Sequence, residues 1–196
     1  PRMAGQPIEQ ITFVIFTNMA SALAAGSIAI LSFARNFESV PVSLFGISFS
    51  TAIFSSLSRK AAVNDRQGFI YHLKETSKAL AWVSGISMLF YLLFGGFVVR
   101  LFFGGGRFSE ADVLRTGTLL AFFALSIPAE SFIHLLVRSF YALKDTWTPI
   151  LVSIPLLFLI VIMAKLLIPV LSINALALSY AIANTCEASI LFFILR

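Results

Sequence analysis

The fold class that the sequence predicts is an all-α polytopic membrane protein with six transmembrane helices. Hydrophobic residues make up 59% of the 196 residues and charged residues only 12%, whereas soluble domains have about 45–50% and about 25%. Four stretches carry no formal charge, each of about 20 residues, the length that a helix needs to cross about 30 Å of hydrocarbon. Because lipid offers the backbone no hydrogen-bonding partner, we expect these stretches to be helical.

Two further apolar stretches contain charged residues, which brings the number of predicted helices to six. In chain order the predicted helices span residues of about 10–34, 41–58, 76–101, 112–143, 147–168 and 174–196. The fourth and the sixth are the two that carry charges. Asp145 or Thr146 is expected to cap the fifth helix, and Pro155 to kink it.

The breaks between helices carry recognisable signals. Pro41 is predicted to open the second helix, where a missing N–H costs nothing. Residues 104–109 read GGGRFS, a glycine turn that ends in a serine. Ser109 is a predicted N-cap, and Glu110 and Asp112 follow it in the first helical turn, where acidic side chains are favourable.

The orientation is predicted from the basic residues. Six helices place both chain ends on one side of the membrane. Of the 14 Lys and Arg residues, eight fall on that side: Arg2, Arg59, Lys60, Arg66, Lys74, Lys78, Lys144 and Arg196. The positive-inside rule therefore predicts that both ends and the 58–78 loop are cytoplasmic. The net charge of +5 follows from this asymmetry, and no basic patch on a soluble module points to nucleic acid.

Several kinds of chemistry are not indicated. The sequence has one cysteine, Cys186, and two well-separated histidines, His72 and His134, so neither a disulfide framework nor a metal cluster is expected. We find no glycine-rich phosphate loop and no nucleophile with a base. We therefore expect no cofactor and no enzymatic activity, and the functional residues are sought among polar side chains inside the membrane, which are costly there.

Arg35 lies where the first predicted helix ends, and Glu38 follows it. In one interpretation Arg35 faces a central cavity and binds an anionic head group, because its planar fork forms two parallel charge-assisted bonds to a phosphate. In the other, the side chain extends to the outer interface, paired with Glu38.

Glu130, His134 and Arg138 have the spacing i, i+4, i+8, so they share one face of the fourth helix. Such a stripe lines a polar path or relays protons in one interpretation. In the other, Glu130 satisfies His134 while Arg138 reaches the cytoplasmic interface.

Tyr180, Asn184 and Glu187 likewise share a face of the last helix. Glu187 is expected to be protonated, to bind a cation or to pair with a basic group of another helix, and burial favours the protonated carboxyl. On the second helix Ser43, Gly46 and Ser50 form a face of small residues. This face suits close helix packing or a helix that lines a wet cavity.

Two segments carry a resemblance to a known family. Residues 33–62, FARNFESVPVSLFGISFSTAIFSSLSRKAA, and residues 100–149, which end in RSFYALKDTWTP, resemble the signature segments of the MurJ (MviN) family of lipid II flippases. The resemblance covers nearly the whole chain.

The resemblance implies a fold of two lobes, of which this chain is the C-terminal one, with the N-terminal lobe absent from it. It also implies transport of the undecaprenyl-diphosphate-linked peptidoglycan precursor lipid II across the bacterial cytoplasmic membrane. The mechanism would be alternating access, with lipid II, membrane lipids and the other lobe as partners and no bond made or broken.

The resemblance also assigns candidate residues. Arg35 matches the family's cavity arginine near the start of its eighth helix, and with Glu38 and Arg138 it forms the candidate substrate-binding set. Candidate residues for coupling or a polar path are Asn18, Glu130, His134, Asn184 and Glu187. Where some members bind sodium, this chain has the apolar Ile160 and Ala164, which puts that site in doubt.

Three other functions agree with the same residues. They are a flippase for another polyprenyl-linked oligosaccharide, a cation-coupled exporter of the same superfamily, and a non-transporting scaffold of cell-wall synthesis. An acidic rather than arginine-rich cavity would indicate the exporter, and tolerance of charge removal at Arg35 would indicate the scaffold.

Overall fold

The computed structural model describes residues 5–104 and 108–195, and within them every regular element is a helix. The elements are α1 (Gly5–Ser21), α2 (Ser27–Pro41), a π-helical segment (Val42–Ile47), α3 (Ser48–Ala62), α4 (Arg66–Phe103), α5 (Glu110–Ala124), α6 (Ile127–Ala142), α7 (Trp147–Leu171) and α8 (Asn174–Leu195). The all-α class is confirmed. Arg2 and Arg196, two of the basic residues assigned to the side of the chain ends, lie outside the described residues, and so do Gly105, Gly106 and Arg107 of the predicted turn.

Four helical stretches in the described part are long and apolar enough to cross a membrane, and the bent pair α5–α6 makes a fifth. The predicted count of six was therefore wrong by this measure. The helix that is missing from the count is the first one, because α1 has 17 residues, fewer than the about 20 that cross the hydrocarbon. α4, with 38 residues, is about 57 Å long and extends well beyond the hydrocarbon at its charged N-terminal end, which the prediction of 76–101 left out.

The first predicted break was misplaced. The chain breaks at residues 22–26, where Gly26 has a positive φ of 84°, and then continues as one helical stretch from Ser27 to Ala62. Pro41 lies inside this stretch, not at a helix start. Because proline has no N–H, the carbonyl of Phe37 one turn earlier loses its helical donor; the hydroxyl of Tyr91 on α4 donates to it instead, at 2.9 Å.

The π-helical segment begins directly after Pro41, as expected where a proline disturbs the hydrogen-bond ladder. It brings the backbone of Gly46 against α6. A Cβ at Gly46 would lie only 2.9 Å from Cα of Ser131. Of the predicted small-residue face, Gly46 and Ser50 are buried and Ser43 is exposed, so close helix packing accounts for it.

The fourth predicted helix is also divided. α5 and α6 meet at Leu125 and Ser126 with a bend of 43°, and Pro128 in the first turn of α6 explains the bend because it leaves a carbonyl of α5 without a donor. At the start of α5, Ser109 and Asp112 form the capping box, which confirms the predicted N-cap.

The cap of α7 is Asp145. Its carboxylate accepts hydrogen bonds from the backbone N–H groups of Trp147 and Thr148, both at 3.0 Å, and from the Thr148 hydroxyl at 2.6 Å. These bonds, with the Thr148 hydroxyl first, hold the pKa of Asp145 below its usual range. The side chain of Thr146, the predicted alternative, forms no cap.

The helices assemble around α8, which packs against α5, α6 and α7, while α4 packs against α3, α5 and α6. The largest apolar core joins α1, α2, α5, α7 and α8, and includes Phe16, Leu31, Phe123 and Leu176. α2, α6 and α8 carry the polar residues that this arrangement brings together.

Candidate functional site

Arg35 is the centre of a buried ionic cluster. Its side chain is 14% exposed and lies in the first third of the 27–62 helical stretch. Nη1 donates to Glu38 on the same helix and to Oε2 of Glu130 at 3.2 Å, while Nη2 donates to Oε1 of Glu130 at 3.2 Å. The guanidinium, which the sequence suggested for binding a phosphate, thus forms two parallel bonds to the carboxylate of Glu130 on α6.

Tyr180 on α8 completes the surroundings of the guanidinium. Nη2 of Arg35 donates to its hydroxyl oxygen at 2.9 Å, and Cζ of Arg35 lies 4.7 Å from the centroid of its ring, a cation–π distance. The ring itself is held by edge contacts with Phe16 and Phe123, at centroid distances of 6.3 and 6.0 Å. Helices α1, α2, α5, α6 and α8 therefore all fix this arginine.

Glu38 is fully buried and Glu130 is 6% exposed. Ser126, at the α5–α6 bend, donates to Oε1 of Glu38 at 2.9 Å. All four N–H bonds of the two Nη atoms are directed to protein acceptors. An anion can bind either Nη atom only if it displaces one of these acceptors.

The other residues of the predicted α6 stripe lie further along the helix. His134 is half-buried, near enough to Glu130 to affect it electrostatically. Glu130 is not satisfied by His134 alone, as one interpretation held, because Arg35 pairs with it. Arg138 is half-buried and forms no hydrogen bond or ion pair within the described residues. Eight residues past Glu130, it lies about 12 Å along the helix, so it does not join Arg35.

The predicted face of α8 divides between two environments. Asn184 is 6% exposed, and its Nδ2 has no hydrogen-bond partner among the described residues. Glu187 is half-buried and accepts a hydrogen bond from the hydroxyl of Ser153 on α7 at 2.5 Å. Within the described part of the chain no basic residue pairs with Glu187, so of the three predicted states the structure does not show the one in which it pairs with a basic group.

Asn18 is exposed on α1, and only its backbone carbonyl is engaged, by the hydroxyl of Ser21 at 2.7 Å. It is not part of the cluster around Arg35. The interpretation in which Arg35 reaches the outer interface is wrong for this conformation, because its head group is enclosed by α2, α6 and α8. The pairing with Glu38 that accompanied it is present.

The model of the family described as "Lipid II flippase MurJ" matches residues 1–196, the entire chain. The chain belongs to the MurJ family. It is 31% identical over 123 residues to the lipid II flippase MurJ of Thermosipho africanus, covering 63% of this chain and 25% of that protein. It is 27% identical to "Probable lipid II flippase MurJ" of Borreliella burgdorferi, covering 97% of this chain and 38% of that protein.

A solved structure of lipid II flippase MurJ in the inward closed conformation superposes with a TM-score of 0.86 at 28% identity. The match covers 95% of this chain and 40% of the solved one. The chain therefore spans about two-fifths of the length of the MurJ proteins that it matches. Membership of a flippase family and the apolar helices establish a multi-pass protein of the bacterial inner membrane.

The two residues that the resemblance linked to a sodium site, Ile160 and Ala164, lie on α7. Ile160 is 6% exposed and Ala164 is fully buried, and both belong to the large apolar core. Among the residues that the structure describes, no group of three or more His, Cys, Asp or Glu could hold a metal ion. The fold uses these two positions for packing.

Three contacts of the cluster were not predicted from the sequence. Arg35 and Glu130 are 95 positions apart, and neither helical spacing nor the MurJ signature segments link them. Ser126 gave no signal, because serines are common in this chain. Tyr180 was placed on the polar face of α8, but its contact with Arg35 depends on the packing of α2 and α8.

Proposed function

We propose that this chain is one lobe of a flippase that moves lipid II across the cytoplasmic membrane, and that Arg35 binds the diphosphate of the lipid. The observation that carries the proposal is a guanidinium buried among three helices of a MurJ family member, with both Nη atoms in a bidentate contact to a carboxylate. A diphosphate offers the same two-oxygen geometry with more charge.

The transport step follows from the way this arginine is held. In the present conformation Glu38, Glu130 and Tyr180 occupy its donors, so the substrate binds only when a change of conformation separates α2 from α6 and α8. Exchange of carboxylate oxygens for phosphate oxygens keeps the buried cation neutralised at each stage. Alternating access needs a second lobe, which we propose lies outside this chain, in the remaining length of the family's proteins.

The substrate and the membrane orientation belong to the same proposal. Both chain ends are assigned to the cytoplasm from the distribution of Lys and Arg. The polyprenyl tail stays in the bilayer while the head group crosses, so no covalent bond changes. Arg138, which is distant from Arg35 and unpaired within the described residues, would contact a head group only at the cytoplasmic end of its path.

The first test is complementation. The full-length gene that contains this chain is expressed in cells depleted of their own lipid II flippase, as wild type, as Arg35→Ala and as Arg115→Ala. Arg115 is an exposed arginine of α5 and serves as the matched control. We expect wild type and Arg115→Ala to restore growth and Arg35→Ala to fail at equal membrane abundance.

Other results have definite meanings. Rescue by all three proteins would keep the flippase but remove Arg35 from substrate binding. Failure of the wild type at good abundance would contradict lipid II as the substrate. Transport of a different polyprenyl-linked oligosaccharide into vesicles would then support the runner-up function.

A further inference from the structure

The buried cluster around Arg35 has an imbalance of charge. Arg35 supplies one positive charge, whereas Glu38 and Glu130 are two acids, and all three head groups are enclosed by helices. Among the described residues, the other titratable groups that face them are His134 on α6, Tyr180 and Glu187 on α8, and Tyr91 on α4. An uncompensated carboxylate in such a place is strongly unfavourable.

The two acids meet at the same nitrogen of Arg35. Oε2 of Glu38 and Oε2 of Glu130 both accept a hydrogen bond from Nη1. Two carboxylates held this close in a buried place repel each other, and a single proton held by the pair removes the repulsion. One proton also makes the cluster neutral, with one cation and one remaining carboxylate.

We propose that Glu38 and Glu130 form a proton-binding site that holds one proton in this conformation. We further propose that a proton and the diphosphate of the substrate bind to the cluster together. When an anion takes the place of a carboxylate on Arg35, the displaced carboxylate loses its cation, and a second proton restores its neutrality. This second part rests on the proposed function, whereas the first does not.

The surroundings offer a route for proton exchange. His134 lies one turn from Glu130 on α6, and Asn184 and Glu187 lie one and two turns from Tyr180 on α8, the helix packed against α6. From Tyr180 to Glu187 these side chains span about 10 Å, and Glu187 is close enough to Glu130 to interact with it electrostatically. The polar residues of two adjacent helices thus extend from the pair towards one membrane face.

The proton is tested by infrared spectroscopy of the purified full-length protein without lipid II. At neutral pH we expect a C=O stretching band of a protonated carboxyl that shifts in D₂O. The band should be lost in Glu38→Gln and equally in Glu130→Gln, because either change leaves one carboxylate paired with one arginine. Glu187→Gln, the control for a half-buried acid outside the pair, should retain it.

A milder variant covers the case in which a glutamine variant does not fold. Ser126→Ala removes the hydroxyl that donates to Glu38 and should change the frequency of the band, because a carboxyl stretch responds to hydrogen bonds on its oxygens. A band that is absent in the wild type, or one that persists unchanged in Glu38→Gln, Glu130→Gln and Ser126→Ala, would overturn the proton site.

The coupling is tested by lipid II binding at several pH values. If one proton is taken up with the lipid, the affinity of the wild type should increase by up to about tenfold for each unit of pH decrease, and the double variant Glu38→Gln/Glu130→Gln, which leaves no carboxylate to displace, should abolish this dependence. Binding without pH dependence would overturn the coupling. No binding at any pH, with the infrared band present, would contradict the proposed function and leave the proton site standing.

Discussion

Two helix contacts in this protein solve the same problem by different means. Where α4 crosses α5, the backbones touch at glycines: a Cβ on Gly117 would lie 2.7 Å from Cα of Gly96. Where α2, α6 and α8 meet, the contact is made by the charges of Arg35, Glu38 and Glu130 together with Tyr180.

The difference teaches what each contact tolerates. In lipid there is little hydrophobic force between helices, so they associate through close packing of small residues or through polar contacts. The α4–α5 crossing at Gly96 and Gly117 depends on volume, because the two backbones touch there and the ion pair of Arg100 with Glu110 lies at the exposed end of the contact. The cluster depends on charge balance, and a transporter needs such a contact, because ions can exchange partners whereas interlocked backbones cannot.

The largest effect is expected from Arg35→Ala. It leaves two acids buried without a cation, and breaking a buried ion pair costs about 3–5 kcal/mol. Glu130→Gln, which removes the surplus acid and keeps the shape, should cost much less. Thermal unfolding of the full-length protein in detergent compares the two variants. Equal losses would mean that shape, not charge balance, holds α2, α6 and α8 together.

An intermediate effect is expected at the glycine crossing. Gly117→Ala adds a methyl group against the backbone of Gly96 and should destabilise the protein by about 1–3 kcal/mol, as overpacking does. Gly85→Ala on α4 is the matched control, since a Cβ there meets nothing within 4 Å. It should be neutral or slightly stabilising, because alanine favours the helix. The same unfolding measurement applies, and a stable Gly117→Ala would show that α4 and α5 can separate freely.

The smallest effect is expected at the bond that joins the two regions, from the hydroxyl of Tyr91 on α4 to the carbonyl of Phe37 on α2. Tyr91→Phe should cost about 0.6 kcal/mol, the average for a hydrogen bond inside a membrane. In a Pro41→Ala background the cost should shrink, since alanine returns the N–H that proline withholds. A double-mutant cycle measures this. If the two changes were additive, Tyr91 would not be compensating for Pro41.

The sequence separation between polar residues and their hydrogen-bond partners also divides them into two groups. Asp145 and Ser109 cap helices with local hydrogen bonds, and both were recognisable from spacing alone because a cap involves residues two or three apart. Glu187 accepts a hydrogen bond from Ser153, 34 positions away, and Glu130 accepts one from Arg35, 95 positions away. No rule based on local spacing could select those partners.

What the sequence determined by itself is therefore the local chemistry: the membrane class, the apolar helices such as α7 and α8, the caps, the shared faces of α6 and α8, and the family. The prediction from the sequence misplaced the first break, because a proline usually interrupts a helix. In the structure the hydroxyl of Tyr91 replaces the missing hydrogen-bond donor, and the helical stretch continues past Pro41. Only the tertiary structure decided that Arg35 meets Glu130 and Tyr180. The reason is physical: helical spacing fixes which side chains share a face, whereas the face that each helix presents to another depends on the packing of the whole lobe.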